Sequence, residues 1–237
     1  MNSAGTSAEA ASIQDRFSAI WLQDASFPAI VPRSADDVVD AIHWCRESGW
    51  RLLIVGRGSS FPDQLNVPEK ILTILTLART GVSECDPLDM VVETEPGVPS
   101  VELLEHVQDA GFRLAGWPEQ YPGTVGGLIA GRNGPKVRHL LLGLETISGR
   151  GHRHRFGGRV RKDVSGFSLA PLFIGSNGRF GWIERVFLRL SPLGAPDIGF
   201  RPPKPSASGR IMKQSPASGV LQALDPDSVF VSLDSGD

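Results

Sequence analysis

Between Arg33 and Gly49 the apolar positions recur at helical spacing. Val38, Ile42 and Cys45 fall on one face and Val39 joins them. Ser34 precedes the run as a candidate N-cap, Asp36 and Asp37 suit the positive end of a helix, and Gly49 suits its stop. The period then changes. "RLLIV", 51 to 55, is a short continuous apolar run that ends in "GRGSSF", as a buried strand does. "ILTILTL" (71–77) and "MVVETEPG" (90–97) read as further strands, with the turn-forming "CDPLD" between them. A helix is expected from Pro99 or Ser100 to Ala110, closed by Gly111. "LLLGLETISGRGHRHRFGG" reads as a hairpin turning at Gly149 to Gly151, and "WIERVFLRLSP" (182–192) alternates as a strand. Past Pro192 the chain becomes rich in Pro, Ser and Gly and reads as a linker or loop.

Three glycine-rich segments border these strands: Gly56 to Ser60, "YPGTVGGLIAG" around Gly123 to Gly127, and "GSNGRFG" from Gly175 to Gly181. Each presents backbone without bulky side chains, and only folding can bring the three together. One extended ligand touched by all three explains them economically; three unrelated tight turns are the alternative. The first segment is not a Rossmann fingerprint. Gly56 and Gly58 fit, but Phe61 stands where the third glycine belongs, and Pro62 and Pro68 oppose a following helix.

Composition narrows the class. The chain has 237 residues, 41% of them hydrophobic, enough to bury the core of one or two domains. No apolar run reaches the ~18 residues of a membrane span. The first residues lack a basic start and an apolar stretch, so a flexible tail is expected there rather than a secretory signal. Cys45 and Cys85 are the only cysteines, which indicates no disulfide framework and fits a reducing, cytoplasmic setting. No Cys/His cluster has zinc spacing, and His152 and His154 read as solvated neighbours on one strand face, so no metal site is expected. The formal charge is -2, yet residues 132 to 162 hold nine basic residues (Arg132, Lys136, Arg138, Arg150, Arg153, Arg155, Arg159, Arg161, Lys162) against Glu145 alone. Such a stretch suits an anionic cofactor, an acidic partner or a solvated strand face. Nucleic acid is disfavoured because no aromatic residues interleave with the charges.

The order "FPAIVPRSADDVVDAIHWCRESGWRLLIVGRGSS", "YPGTVGGLIA", "FGGRVRKDVSGFSLAPLFIGSNGRFGWIERVFLRLSP" resembles the FAD-binding domain of the vanillyl-alcohol oxidase family, the PCMH-type domain, over roughly residues 26 to 193. The family form of the last segment is Gly-Ser-x-Gly-Thr-Leu-Gly-x-Ile, where this chain has Arg179 and Phe180 for Thr and Leu. The resemblance implies an α+β fold of two α/β FAD-binding subdomains, 26–115 and 116–193. They would follow a tail at 1–25 and precede a linker and C-terminal remnant at 194–237. It also implies site residues. Gly56, Arg57, Gly58, Ser59 and Ser60 would wrap the FAD diphosphate. Gly123, Thr124, Val125, Gly126 and Gly127 would line the flavin and the other side of the diphosphate. Ser176, Gly178, Gly181 and Ile183 would lie along the rest of the cofactor. On this reading the glycines leave room for FAD. Family members often attach FAD through a His or Cys; the first loop has neither, so FAD is expected to be non-covalent. Lys162 and Arg159 would sit near the flavin or simply on the surface.

The resemblance also implies a substrate-covering cap domain after Leu193, where this sequence has 44 residues. Within them "GVLQALDPDSVFVS" resembles the family's terminal element through Leu224, Asp225, Pro226 and Phe230. A chain with its cap largely absent is therefore expected. Its implied role is the FAD-binding subunit of a 2-hydroxyacid (glycolate-type) dehydrogenase, not competent alone. Its partners would be the larger flavoprotein and the iron–sulfur subunit of a glycolate-oxidase-like complex, through which it could lie peripheral to a membrane. The alternatives are a non-catalytic assembly or regulatory subunit and a stand-alone flavin oxidoreductase. No Ser-His-Asp set or His/carboxylate cluster marks catalytic residues in the sequence.

Overall fold

A computed structural model describes residues 13, 16–17, 20–21, 28–59, 70–158, 169–195 and 216–231. Its first sheet has the order β1 (Ile20–Trp21), β2 (Pro28–Ile30), β4 (Ile71–Leu75), β3 (Arg51–Val55), β11 (Phe230–Val231). The β2, β4, β3 and β11 neighbours are parallel, and β1 joins antiparallel to β2. Helix α1 (Ala35–Ser48) supplies the crossover between β2 and β3 and begins where the sequence places it. Ser34 and Asp37 form a reciprocal capping box, and Gly49 ends the helix at φ 71°. Its buried face, Val38, Ala41, Ile42, Trp44 and Cys45, packs on Leu52, Leu72 and Ile74 of the sheet. Each such fully buried aliphatic side chain contributes about 1.5–3 kcal/mol. Burial pushes the Cys45 thiol up to about 12, so it is an inert core residue. Leu53, Val55, Ile71 and Leu75 form a second cluster on the opposite face, so both faces of the parallel sheet are buried.

The second sheet is antiparallel: β5 (Val91–Thr94), β9 (Trp182–Arg189), β7 (Leu141–Ile147), β8 (Arg153–Gly157). Helix α2 (Ser100–Asp109) and helix α3 (Val125–Ala130) pack on its inner face through Leu103, Val107, Leu128 and Ile129, against Val92, Leu144 and Val186. A short helix α4 (Gly134–Val137) follows α3, and β6 (Phe112–Arg113) pairs with β10 (Ser191–Pro192). β5 and α2, expected with the first subdomain, thus lie with the second sheet, because Val91 to Thr94 pair with β9.

Several boundaries differ from the sequence reading. The strand expected over 71–77 ends at Leu75, and Thr76–Ala78 tighten into a 3₁₀ turn. The strand expected over 90–97 is confined to 91–94. The run 182–192 divides into β9 and β10, since Ser191–Pro192 turn away to pair with β6. Helix α5 (Pro216–Leu224) begins inside the stretch expected to be loop. The chain then returns to the first sheet as β11. Asp225 fixes that return: its buried carboxylate accepts the N–H groups of Val229 (2.8 Å) and Phe230 (2.9 Å). The carbonyl of Leu224 also accepts the Gly149 N–H at the hairpin tip (2.8 Å).

Two arginines of the basic stretch are answered within the chain. Arg153 pairs with Asp36 at 2.5 Å, Arg155 lies 3.6 Å from Glu145, and its guanidinium sits 4.8 Å over the Phe187 ring. These contacts fit a solvated strand face. The His154 ring stacks on Phe156 at 5.9 Å; burial, then the neighbouring His152, lowers its pKa. No cluster of three metal-ligating side chains occurs among the described residues, and no helix there is long and apolar enough to cross a membrane.

Candidate cofactor site

Where a parallel sheet ends, the loops after its strands emerge on one edge, which is where such sheets bind ligands. The loops after β3 and β4 emerge there, facing the start of α3 and the turn before β9. They enclose a cavity of about 470 Å³, within the roughly 300–1,000 Å³ usual for ligand sites. All three glycine segments reach its wall: Gly56, Arg57, Gly58 and Ser59; Gly123, Thr124, Gly126 and Gly127; Gly178, Gly181 and Ile183. Two expected residues do not. Val125 is fully buried in the core beside Leu128, and Ser176 lies off the wall with its N–H bonded to the Phe173 carbonyl (3.3 Å). Ser60, Arg159 and Lys162 lie outside the described residues.

The glycines do more than leave room. A Cβ on Gly56 would stand 2.6 Å from the Thr124 hydroxyl oxygen, and one on Gly126 would stand 2.8 Å from the Pro96 ring. Gly181 has φ 125°, which L side chains rarely adopt, and a Cβ there would meet the Ile147 carbonyl oxygen at 2.4 Å. The three segments therefore pack on one another and on the second sheet, and the cavity is what their approach encloses. Nor is the first turn of α3 a row of open donors. Val125 and Gly126 give their N–H groups to the Val98 and Pro96 carbonyls (2.9 Å each), and Gly127 gives its own to the Thr124 hydroxyl (3.2 Å).

Charge at the wall has one sign among the described residues: Arg57 and Arg132, both exposed, line the cavity, and no described Asp or Glu does. Leu53, Ile54, Val55, Pro96 and Trp182 supply apolar surface. Among the described residues the Thr76 hydroxyl at this wall is buried without a hydrogen-bond partner. An apolar slot with two cations at its mouth and an unanswered hydroxyl fits an aromatic anion such as a flavin dinucleotide. Sequence reading missed Thr76, Tyr121, Arg132, Asn133, Asn177 and Trp182. Arg132 carried a signal in the basic stretch, Tyr121 and Asn177 stand inside the second and third glycine segments, and Trp182 follows the third; Thr76 and Asn133 carried none.

Behind the wall a partly buried ion-pair cluster joins the two sheets. Trp182 donates its indole N–H to Glu184 (2.9 Å), Glu184 pairs with Arg79, and Arg79 also pairs with Glu95 (2.7 Å). Glu184 reaches Arg79 because it is the extra residue of a β-bulge: Arg185 and Ile183 pair with the consecutive Glu145 and Thr146. Burial raises the Glu184 pKa despite the Trp182 hydrogen bond and Arg79, which lower it.

This fold and site define a flavin-binding domain. Residues 28–157 match the FAD_binding_4 family, the FAD binding domain, and the chain belongs to that family, whose cofactor is FAD. It is 31% identical over 157 residues to glycolate oxidase subunit GlcE of Escherichia coli (strain K12), covering 62% of this chain and 45% of that protein. It is 28% identical over 171 residues to glycolate oxidase subunit GlcD of Bacillus subtilis (strain 168), covering 69% and 36%. To D-lactate dehydrogenase of Archaeoglobus fulgidus it is 27% identical over 178 residues, covering 70% and 39%. The chain thus spans less than half the length of these relatives. Among solved structures, alkyldihydroxyacetonephosphate synthase shares the fold, with a TM-score of 0.58 at 16% identity over 72% of this chain and 33% of that one.

Proposed function

We propose that this chain is the FAD-binding subunit of a 2-hydroxyacid dehydrogenase of the glycolate type, working in a cytoplasmic complex. The observation that carries this is the convergence of three distant glycine segments on one cavity that, among the described residues, has two arginines and no carboxylate. The likeness to glycolate oxidase subunits and D-lactate dehydrogenase supports the substrate class. Gly56 to Ser59 with Arg57 would hold the diphosphate, Gly123 to Gly127 the flavin side, and Gly178 to Ile183 the remainder. FAD is held non-covalently, since neither His nor Cys lines the cavity. Bound FAD supplies a two-electron acceptor. Among the described residues the wall contributes no His, Lys, Asp or Glu, which supports a partner as the source of the base that takes the hydroxyl proton of a 2-hydroxyacid. A larger flavoprotein and an iron–sulfur subunit are the proposed partners.

The test is a visible spectrum followed by anaerobic titration. The purified chain should take up FAD, release it on denaturation, and bleach with glycolate or D-lactate only when partner subunits are present. Rapid bleaching of the isolated chain would show a stand-alone oxidoreductase instead. The lack of a carboxylate or base among the described wall residues also suits a subunit that keeps the fold for assembly, and a chain that takes up no FAD would establish that reading.

A further inference from the structure

Beside the C-terminal edge of the parallel sheet lies a polar group that the described residues leave unanswered. Val55 and Leu75 are the last paired residues of β3 and β4, so Gly56 and Thr76 are the next residues of adjacent parallel strands. Gly56 opens the first glycine loop, and Thr76 lines the same cavity. Thr76 is only 4% exposed, and among the described residues its hydroxyl has no hydrogen-bond partner. Its carbonyl is already used, accepting the Arg79 N–H at 2.9 Å. A buried hydroxyl without a partner is costly, and a ligand that answers it recovers that cost on binding. Thr73 provides an internal contrast: its hydroxyl is also buried and unanswered, at 0% exposure, but it does not line the cavity.

We propose that Thr76 is a cofactor-binding residue whose hydroxyl donates a hydrogen bond to a phosphate oxygen of the bound dinucleotide. Three features select a phosphate as acceptor: adjacency to Gly56, the Arg57 cation in the same loop, and the lack of a carboxylate among the described wall residues. The proposal rests on the FAD-binding reading and adds to it a specific donor from the 3₁₀ turn that follows β4, where the sequence suggested only glycine loops.

The experiment measures FAD and ADP dissociation constants and the unfolding midpoint of the cofactor-free chain, for the parent, Thr76→Val, Thr76→Ser and Thr73→Val. Thr76→Val should weaken both FAD and ADP roughly ten-fold, while the cofactor-free midpoint stays level or rises, because an unanswered buried hydroxyl has been removed. Thr76→Ser should bind within about two-fold of the parent, allowing for its lost methyl group. Thr73→Val should leave both affinities unchanged. Parent-like FAD binding by Thr76→Val overturns the proposal, as does equal weakening by Thr73→Val. Weakened FAD with unchanged ADP overturns the phosphate assignment. A parent chain that binds no FAD overturns the FAD-binding reading and this proposal together, whereas a parent that binds normally isolates the failure to Thr76.

Discussion

The two sheets reach the same cavity by different physical routes. In the first, β2, β4, β3 and β11 run parallel, so their C-terminal ends share an edge and the loops after β3 and β4 arrive there together. In the second, neighbouring strands alternate in direction, and no edge collects their ends. That sheet instead uses a local distortion. The Gly181 turn abuts the Ile147 carbonyl, and the bulge at Glu184 redirects β9, so that Trp182 and Ile183 line the wall while Glu184 reaches Arg79. The parallel sheet is apolar on both faces. The antiparallel sheet carries ion pairs, with Arg185 at 3.1 Å from Glu93 and 3.6 Å from Glu145. Topology alone places the first set of site residues, and individual residues place the second.

The most damaging change should fall where the two routes meet. Gly97 connects β5 to α2, and a Cβ there would stand 1.9 Å from the Thr76 carbonyl oxygen and 2.7 Å from that of Arg79. Gly97→Ala should cost roughly 3 kcal/mol or more, read as a fall in the urea midpoint, or should prevent folding. A midpoint within error of the parent would show that the junction is loose and that the sheets are positioned separately.

Next in size is Asp225→Ala, which removes the acceptor for two buried N–H groups that hold β11 on the first sheet. It should cost about 2–4 kcal/mol, with amide exchange rising in β11 and β3 before the second sheet. Asp225→Asn, which keeps one acceptor oxygen, should lose less. Uniform exchange across both sheets would break the distinction between them.

Smaller again are the charges at the mouth. Arg57→Gln tests the first sheet's loop and Arg132→Gln the segment after α3. Each should weaken FAD about three- to ten-fold at low salt, with the difference shrinking as salt rises. Loss at one arginine only would assign the anion to that side.

The weakest effect is on pH dependence, and its two signs separate the sheets. Partial burial pushes Asp37 up, but the hydrogen bonds from Arg33 and Ser34 outweigh it and hold its carboxyl below the ordinary value. The α1 cap therefore contributes stability above the unfolded-state pKa and loses it as pH falls through the folded one. Glu184 is raised by burial, so its contribution is greatest below the unfolded-state pKa and is lost as pH rises through its folded pKa. Asp37→Asn should flatten the acid side of the stability profile, and Glu184→Gln the fall on the side of rising pH. Midpoints recorded across pH 3–8 check both.

What the sequence disclosed divides along local and long-range lines. The α1 cap, its Gly49 stop and the hairpin turn near Gly149 to Gly151 are local devices, and the structure has them where residue chemistry puts them. The membership of β5 in the second sheet and the return of β11 to the first were not legible, because a two-residue strand such as Phe230–Val231 is defined by its partner rather than its pattern. At the site, the recurrence of glycine segments announced the convergence. It could not disclose that Gly126 faces Pro96, nor that Val125 points into the core, since both depend on which loop packs against which. Thr76 and Asn133 carry no distinguishing neighbourhood in sequence; only proximity in the fold sets them apart.

The way β10 and α5 are anchored bears on how much polymer this architecture can accommodate. β10 is held by β6, while α5 and β11 are held by the hairpin tip and by β3. Neither attachment depends on the length of chain between residues 195 and 216. Because closing a loop costs only about 0.6 kcal/mol more per doubling of its length, a hundred further residues inserted there would cost less than about 2 kcal/mol in closure entropy. The junction is a socket: a whole module can be gained or shed at that point over evolutionary time, or spliced in by an engineer, without redrawing either sheet.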